Sequence, residues 1–292
     1  MKTNRPTVWV TGAGGLIGSH LLRHGSPSNG WQVRALDRQT LNLADFPAVD
    51  AWFWANKPEA VIHCAAISKT TVCQKDPPAA WLNNLAVTEH LARLCGEIPF
   101  VFFSTDLVFG GESSNYREDS PTGPKNLYGE TKVAAEQVVL RNPNHLVIRT
   151  SINFGESPTG DRAFNEDMLA GWRRGTTLSL FVDEFRNPLG AAVTAEVTLA
   201  LLSAGAKGLF HVAGGERLSR FQIGEAVKAY YARRIAAGKL DLSPEKLRTV
   251  SESLVSYQGP PRCPDASLDV SKVENFLGRR MPQFTEWIAT QS

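Results

Sequence analysis

Three side chains in the middle of the chain have the types and spacing to move a proton. Tyr128 and Lys132 stand four residues apart, so on a helix they share a face. A free tyrosine titrates near ~10, and a neighbouring ammonium favours the phenolate and lowers that value. Such tuning is what a general acid or base requires. Thr105 follows the apolar run Phe100-Val101-Phe102-Phe103 and supplies a hydroxyl that can donate to the same oxygen that Tyr128 protonates. The expectation is two polar groups on one carbonyl oxygen, with Lys132 depressing the pKa of Tyr128. A Tyr-x-x-x-Lys spacing also arises by chance on solvated helix faces, so its surroundings decide its meaning.

Those surroundings begin at Val8. Val8-Trp9-Val10 reads as a buried parallel strand, and Gly12, Gly15 and Gly18 follow at intervals of three. A helical pattern then opens with Leu16, Ile17, Leu21 and Leu22. A strand passing through a glycine turn into a helix gathers free backbone N–H groups and a helix N-terminus at one point, which attracts a pyrophosphate. Gly12 permits the turn, Gly15 the approach of phosphate, and Gly18 the closing of helix on strand. Asp37 ends the second strand, Gln32–Leu36, about 20 residues further on, where an acid binds the hydroxyls of an adenosine ribose. Arg38 beside it suits a 2′-phosphate, so the choice between NAD(H) and NADP(H) stays open. A third strand spans Ala60–Ala66, and small Ala65 and Ala66 at its C-terminal end leave room for a cofactor. His63 within it reads as a hydrogen-bonded core histidine.

Further along, Pro77-Pro78 opens a helix carrying Trp81, Leu82, Leu85, Val87 and Leu91, and Leu146-Val147-Ile148 is a fifth strand. Strands alternating with helices indicate an α/β fold, a Rossmann-like doubly wound parallel sheet, over residues 1–150. Past Thr150 helical pieces (164–172, 195–203, 221–237) alternate with short strands such as 209–212. They read as a smaller substrate-binding lobe, 151–292, interleaved with the first domain.

The whole chain sets limits on partners. A net charge of +2 over 292 residues gives no reason to expect nucleic acid or an anionic membrane. No apolar run approaches the roughly 18 residues that span a bilayer. Met1–Pro6 passes straight into the first strand, without the pattern of a signal peptide. Cys64, Cys73, Cys95 and Cys263 lack metal-ligand spacing and fit a reducing cytoplasm.

The glycine turn, Asp37, Ala65-Ala66, Asn84, the segment Ser104–Gly110 and Tyr128–Lys132 together resemble the extended short-chain dehydrogenase/reductase superfamily. Ser-Thr-Asp-Leu-Val-Phe-Gly, the loop Tyr116-Arg117-Glu118, and Pro261-Arg262-Cys263-Pro264 through Leu268-Asp269 resemble the dTDP-4-dehydrorhamnose reductases in particular. The resemblance implies reduction of a keto group on a nucleotide sugar by NADPH or NADH, with Thr105, Tyr128 and Lys132 as the catalytic triad. Lys132 would also hold the nicotinamide ribose, Asn84 would face the cofactor, and Leu43 would lie near the adenine. Arg262 would bind the substrate's diphosphate beside Thr105. A homodimer is compatible with it. The family's usual Asp-Leu-Thr-Asp reads Asn42-Leu43-Ala44-Asp45 here, its Arg-Pro reads Arg262-Cys263-Pro264, and its Pro-Thr reads Pro188-Leu189. Two other readings are carried: a sugar-nucleotide epimerase or dehydratase, and a non-catalytic NADP-binding regulatory subunit resembling the methionine adenosyltransferase beta subunit. Related dehydratases follow the threonine with Asp-Glu, whereas Asp106 is followed by Leu107.

Overall fold

The computed structural model describes residues 5–25 and 30–291. Strand β1 (Thr7–Thr11) runs through the glycine turn into helix α1 (Leu16–His24), and β2 (Gln32–Leu36) follows. Asp45 caps α2 (Phe46–Asn56) by accepting from the N–H of Ala48, and β3 (Ala60–His63) comes next. Beyond α3 (Thr70–Lys75), the helix opened by Pro77 is three pieces in line. These are α4 (Pro77–Trp81), a π turn over Leu82–Ala86, and α5 (Val87–Leu94). Then come β4 (Phe100–Thr105), α6 (Leu127–Val139) and β5 (Leu146–Thr150). The third strand therefore stops at His63, three residues short of the sequence reading, because Cys64–Ala66 bend away over the glycine turn.

The later residues add β6 (Asn153–Phe154), α7 (Phe164–Arg173), β7 (Leu178–Phe181), β8 (Phe185–Arg186), β9 (Leu189–Gly190), α8 (Ala191–Ser203) and β10 (Gly208–Val212). They finish with β11 (Leu218–Ser219), α9 (Arg220–Ala236), β12 (Thr249–Glu252), α10 (Ser271–Leu277) and α11 (Phe284–Thr290). The strand expected at 209–212 does not belong to the small lobe. It pairs in parallel with β5 and becomes the edge of the main sheet, whose order is β10-β5-β4-β3-β1-β2.

Alternation along each strand divides the core into two layers. Val8 and Val10 face α1 and α8 together with Ile62, Val101, Phe103 and Ile148. Trp9, Val61, Phe102 and Val147 face α2, α5 and α6. Both faces of the parallel sheet are thereby covered, which is why the inner strands β1, β3 and β4 are mostly apolar rather than alternating. A separate cluster around Trp172, Tyr230, Tyr231 and Phe284 gathers residues from the later part of the chain. The chain reverses its direction of strand addition between β1 and β3, and in open α/β sheets ligands bind outside the strand ends at such a point.

Candidate active site

The crevice at that reversal is shaped by missing side chains. Gly12 has φ +66, and a Cβ placed on it would lie 2.7 Å from the backbone nitrogen of Ala65. A Cβ on Gly18 would lie 2.3 Å from the carbonyl oxygen of Gly12, so only glycine lets α1 close on the turn. No side chain caps α1 and its first turn carries no acid, which leaves the helix N-terminus to an anion. Leu16 packs its side chain on Ala163 and Ala191, and Ile17 on the sheet, so these two face the crevice with backbone only. Ala65 and Ala66 are half-buried on the opposite wall. This is a cradle for a dinucleotide's phosphates that a Cβ would fill, and the residues present fit that group.

Further out lie the other residues expected to meet the cofactor. Asp37 accepts from both the N–H and the hydroxyl of Thr40 at 2.8 Å, which holds its carboxyl below the ordinary range. One of its oxygens is thus spent on the local turn. Arg38 is exposed. Leu43 packs half-buried against the layer behind the sheet. Asn84 is buried inside the π turn, and its amide is fully engaged: it accepts from Ile67 N–H at 2.8 Å and donates to Ile67 O and Thr131 Oγ1, both at 3.1 Å. It fastens the loop after β3 to α6. His63 sits between the hydroxyls of Thr11 and Thr88, and burial pulls it down to about 3, so it is a neutral core residue.

Of the three proton-handling residues, Thr105 and Tyr128 come together. Asn126 caps α6 by accepting from Gly129 N–H at 2.9 Å. A Cβ on Gly129 would stand 2.4 Å from Leu107 O, so the first turn of α6 lies directly on the turn that follows Thr105. That contact brings the Tyr128 phenol beside the Thr105 hydroxyl. Both hydroxyls are buried at the C-terminal end of β4, and Lys132 lies one helical turn further along. Its Nζ stands 3.9 Å from the centre of the Phe102 ring.

The electrostatics reverse one expectation. Burial, reinforced by the charge of Asp106, pushes Tyr128 above its usual range, and the Thr105 hydrogen bond only partly opposes it. Burial also brings Lys132 down to about 7, against the opposing pull of Glu136. Lys132 therefore does not depress Tyr128; taking both groups out of water disfavours both charged forms. Tyr128 consequently holds its proton, the state needed to give one away.

From the other lobe comes a cluster of charges. Arg262 grips Glu184 with both ends of its guanidinium, Nε–Oε2 2.5 Å and Nη2–Oε1 3.1 Å. Glu184 Oε1 also meets Arg186 Nη2 at 3.2 Å, and Arg186 Nε stands 3.6 Å from Asp106 Oδ2. Arg220 lies in the same field and is pulled down to about 10 by burial. Arg262 was expected to meet substrate, and it is a half-buried cation already held by an acid. Its guanidinium lies over the Phe181 ring at 4.8 Å.

Residues 6–291 match the family described as the RmlD substrate binding domain. The chain belongs to this family. Among relatives of the RmlD substrate-binding-domain chain, methionine adenosyltransferase 2 subunit beta of Xenopus laevis is 30% identical, with 94% of this chain and 83% of that protein covered. A probable low-salt glycan biosynthesis reductase of Haloferax volcanii is also 30% identical, over 96% and 95%. The crystal structure of dTDP-4-dehydrorhamnose reductase from Bacillus anthracis, in complex with NADP, superposes with TM-score 0.85 at 22% identity, over 98% of both chains. This last likeness establishes the fold. Among the described residues, no helix of this RmlD-family chain is long and apolar enough to cross a membrane.

Four residues of this site were not singled out from sequence for it: Asp106, Glu184, Arg186 and Arg220. Glu184 and Arg186 did carry a signal, since charges two apart in an extended run face the same side. The run Asp183-Glu184-Phe185-Arg186 is too short and polar to have been read as a strand.

Proposed function

We propose that this chain is an NAD(P)H-dependent reductase of a keto group on a nucleotide-activated sugar. The observation that carries it is the placing of Thr105 and Tyr128 side by side at the strand ends near the glycine cradle, where burial keeps Tyr128 protonated. When bound, NAD(P)H would supply a hydride to the carbonyl carbon. Tyr128 gives its proton to the carbonyl oxygen as negative charge develops there, and Thr105 donates a second hydrogen bond to it. Lys132, near 7, is poised to return a proton to Tyr128 and to hold the nicotinamide ribose. Residues 1–150 thus hold the cofactor and residues 151–292 the substrate, with Arg262 and Arg220 as the cations for its diphosphate. The reading places the protein in the cytoplasm, and a homodimer is the assembly to test by sedimentation.

Dehydration is disfavoured because the apolar Leu107 occupies the place of a second acid, packing against the Tyr128 cluster while its N–H donates to Thr105 Oγ1 at 3.2 Å. The relation to a methionine adenosyltransferase beta subunit supports a second reading, a cofactor-binding regulatory subunit. A cofactor-oxidation screen against 4-keto nucleotide sugars separates them. Turnover with one of these compounds supports the reductase. No turnover, together with copurification of a synthetase, supports the subunit.

A further inference from the structure

The hydrogen bonds around Thr105 point the wrong way for the reaction just proposed. A threonine hydroxyl has one proton to donate and two lone pairs to accept with. Thr105 Oγ1 accepts from Leu107 N–H and donates its only proton to Asp106 Oδ1 at 3.2 Å. The Tyr128 phenol lies beside the same hydroxyl. The Thr105 proton needed at a substrate oxygen is therefore aimed away from it, along a line that ends on Asp106. The acceptor that holds it there is buried at 4% exposure.

Asp106 is raised above the ordinary carboxylate range by burial, and the Arg186 charge and hydrogen bonds that oppose this are ones the substrate would disturb. Its other oxygen accepts from Ser151 Oγ at 2.6 Å and faces Arg186 at 3.6 Å. The remaining ionisable groups around it are Glu184, Arg220, Tyr128 and Cys263. Arg186 is shared, because Glu184 competes for it, and Glu184 is shared in turn, because Arg262 holds both its oxygens. Arg262 is the partly exposed end of this otherwise buried line. An anion that takes Arg262 leaves Glu184 to Arg186 and adds negative charge to the cluster. Both changes act on Asp106 in the same direction, towards the protonated form.

We propose that capture of a substrate phosphate by Arg262 is relayed through Glu184 and Arg186 to Asp106, which takes up a proton and reverses the hydrogen-bond line. The inference rests on the nucleotide-sugar reading above. Asp106 takes the proton from solvent and donates it to Thr105 Oγ1. Thr105 then turns its own proton to the carbonyl oxygen of the substrate, beside the phenol of Tyr128. Glu184, Arg186 and Asp106 are positioning residues in this scheme, and a keto sugar without a phosphate leaves the line aimed inward.

Calorimetry tests it on the protein saturated with NADP. UDP-glucose and dTDP-glucose serve as probes because their diphosphate diesters do not titrate near neutrality. Binding measured in buffers of different ionisation enthalpy should show net proton uptake. In Asp106→Asn, where the amide donates permanently to Thr105, binding should persist and uptake should vanish. Glu184→Gln should lower the uptake, and the alkaline limb of kcat should be lost in Asp106→Asn. If the buried substitution does not fold, Arg262→Gln gives the same answer through weaker binding without uptake. Binding without proton uptake in the wild type, or uptake that survives in Asp106→Asn, overturns the relay alone. Failure to bind either nucleotide sugar removes the substrate reading and the relay with it.

Discussion

The two sides of the crevice are built on opposite principles. The cofactor side is made of backbone: Gly12, Gly18 and the uncapped start of α1 offer N–H groups and space, at little cost in buried charge. The substrate side is made of side chains, with Asp106, Glu184, Arg186, Arg220 and Arg262 in one cluster. Burying such ions costs more than hydrophobic packing would, so the cluster is poor value as a source of stability. The contrast separates a rigid, ready-made cradle from a charge-balanced site whose state depends on what arrives. Tyr128 stands on the seam, touching Thr105 from the sheet and the field of Asp106 from the cluster.

The largest effect should come at that seam. Tyr128→Phe keeps the ring packed against Cys73 and Ala80 and removes only the proton donor. Turnover should fall by roughly 10²–10⁴-fold, the usual contribution of general acid catalysis. Cofactor affinity, set on the backbone side, should stay unchanged by fluorescence titration. A kcat near that of the wild type would take Tyr128 out of the mechanism.

Next comes the cluster itself. Glu184→Ala leaves Arg186 facing Asp106 alone at 3.6 Å and sets Arg262 loose. Breaking one partner out of a buried ion pair costs about 3–5 kcal/mol, and denaturant titration should show a lowered midpoint with the slope unchanged. Gly14→Ala is the comparison from the cradle: a Cβ there meets nothing within 4 Å, and stability should barely move. Equal losses at the two positions would erase the distinction drawn between the sides.

The same contrast governs what could be read from sequence. The cradle is contiguous: strand, glycines and helix occur within a dozen residues, and each glycine's reason is local. Tyr128 and Lys132 share a helix, so their spacing was legible too. The direction of their pKa shifts was not, because burial is a property of the assembled fold and here it outweighs the neighbouring charge. The cluster draws on segments around 106, 184–186, 220 and 262, which approach one another only after β8 pairs with β11 and Phe185 bridges to Asp265. The partners of Asn84 were illegible for a related reason: only the π turn aims its amide at Ile67 and Thr131.

Arg262→Ala probes the substrate side without unfolding it, since Arg262 is the partly exposed member of the cluster. The loss of a charge-assisted hydrogen bond to a diphosphate, about 1.5–3 kcal/mol, should raise KM for a nucleotide sugar about tenfold or more. Cofactor binding should be untouched. Unchanged substrate affinity would show that Arg262 serves only as a counter-ion to Glu184. A substrate that proves to carry no phosphate would remove the nucleotide-sugar class while leaving a reductase in place.

The smallest effect is expected on the cofactor side, where side chains matter least. Asp37 has one oxygen committed to Thr40, which leaves the other for a ribose hydroxyl. Arg38 beside it is exposed, so a contact with a 2′-phosphate would be screened by water and salt. Arg38→Ala should therefore weaken NADPH by only about 1 kcal/mol, roughly fivefold, and NADH hardly at all. Raising the salt concentration should shrink the difference for the wild type and not for the variant, because only the wild type has the charge to screen. Equal weakening of both cofactors would mean that Arg38 supports the turn around Asp37 rather than the phosphate, and the choice between NADH and NADPH would then lie with Asp37.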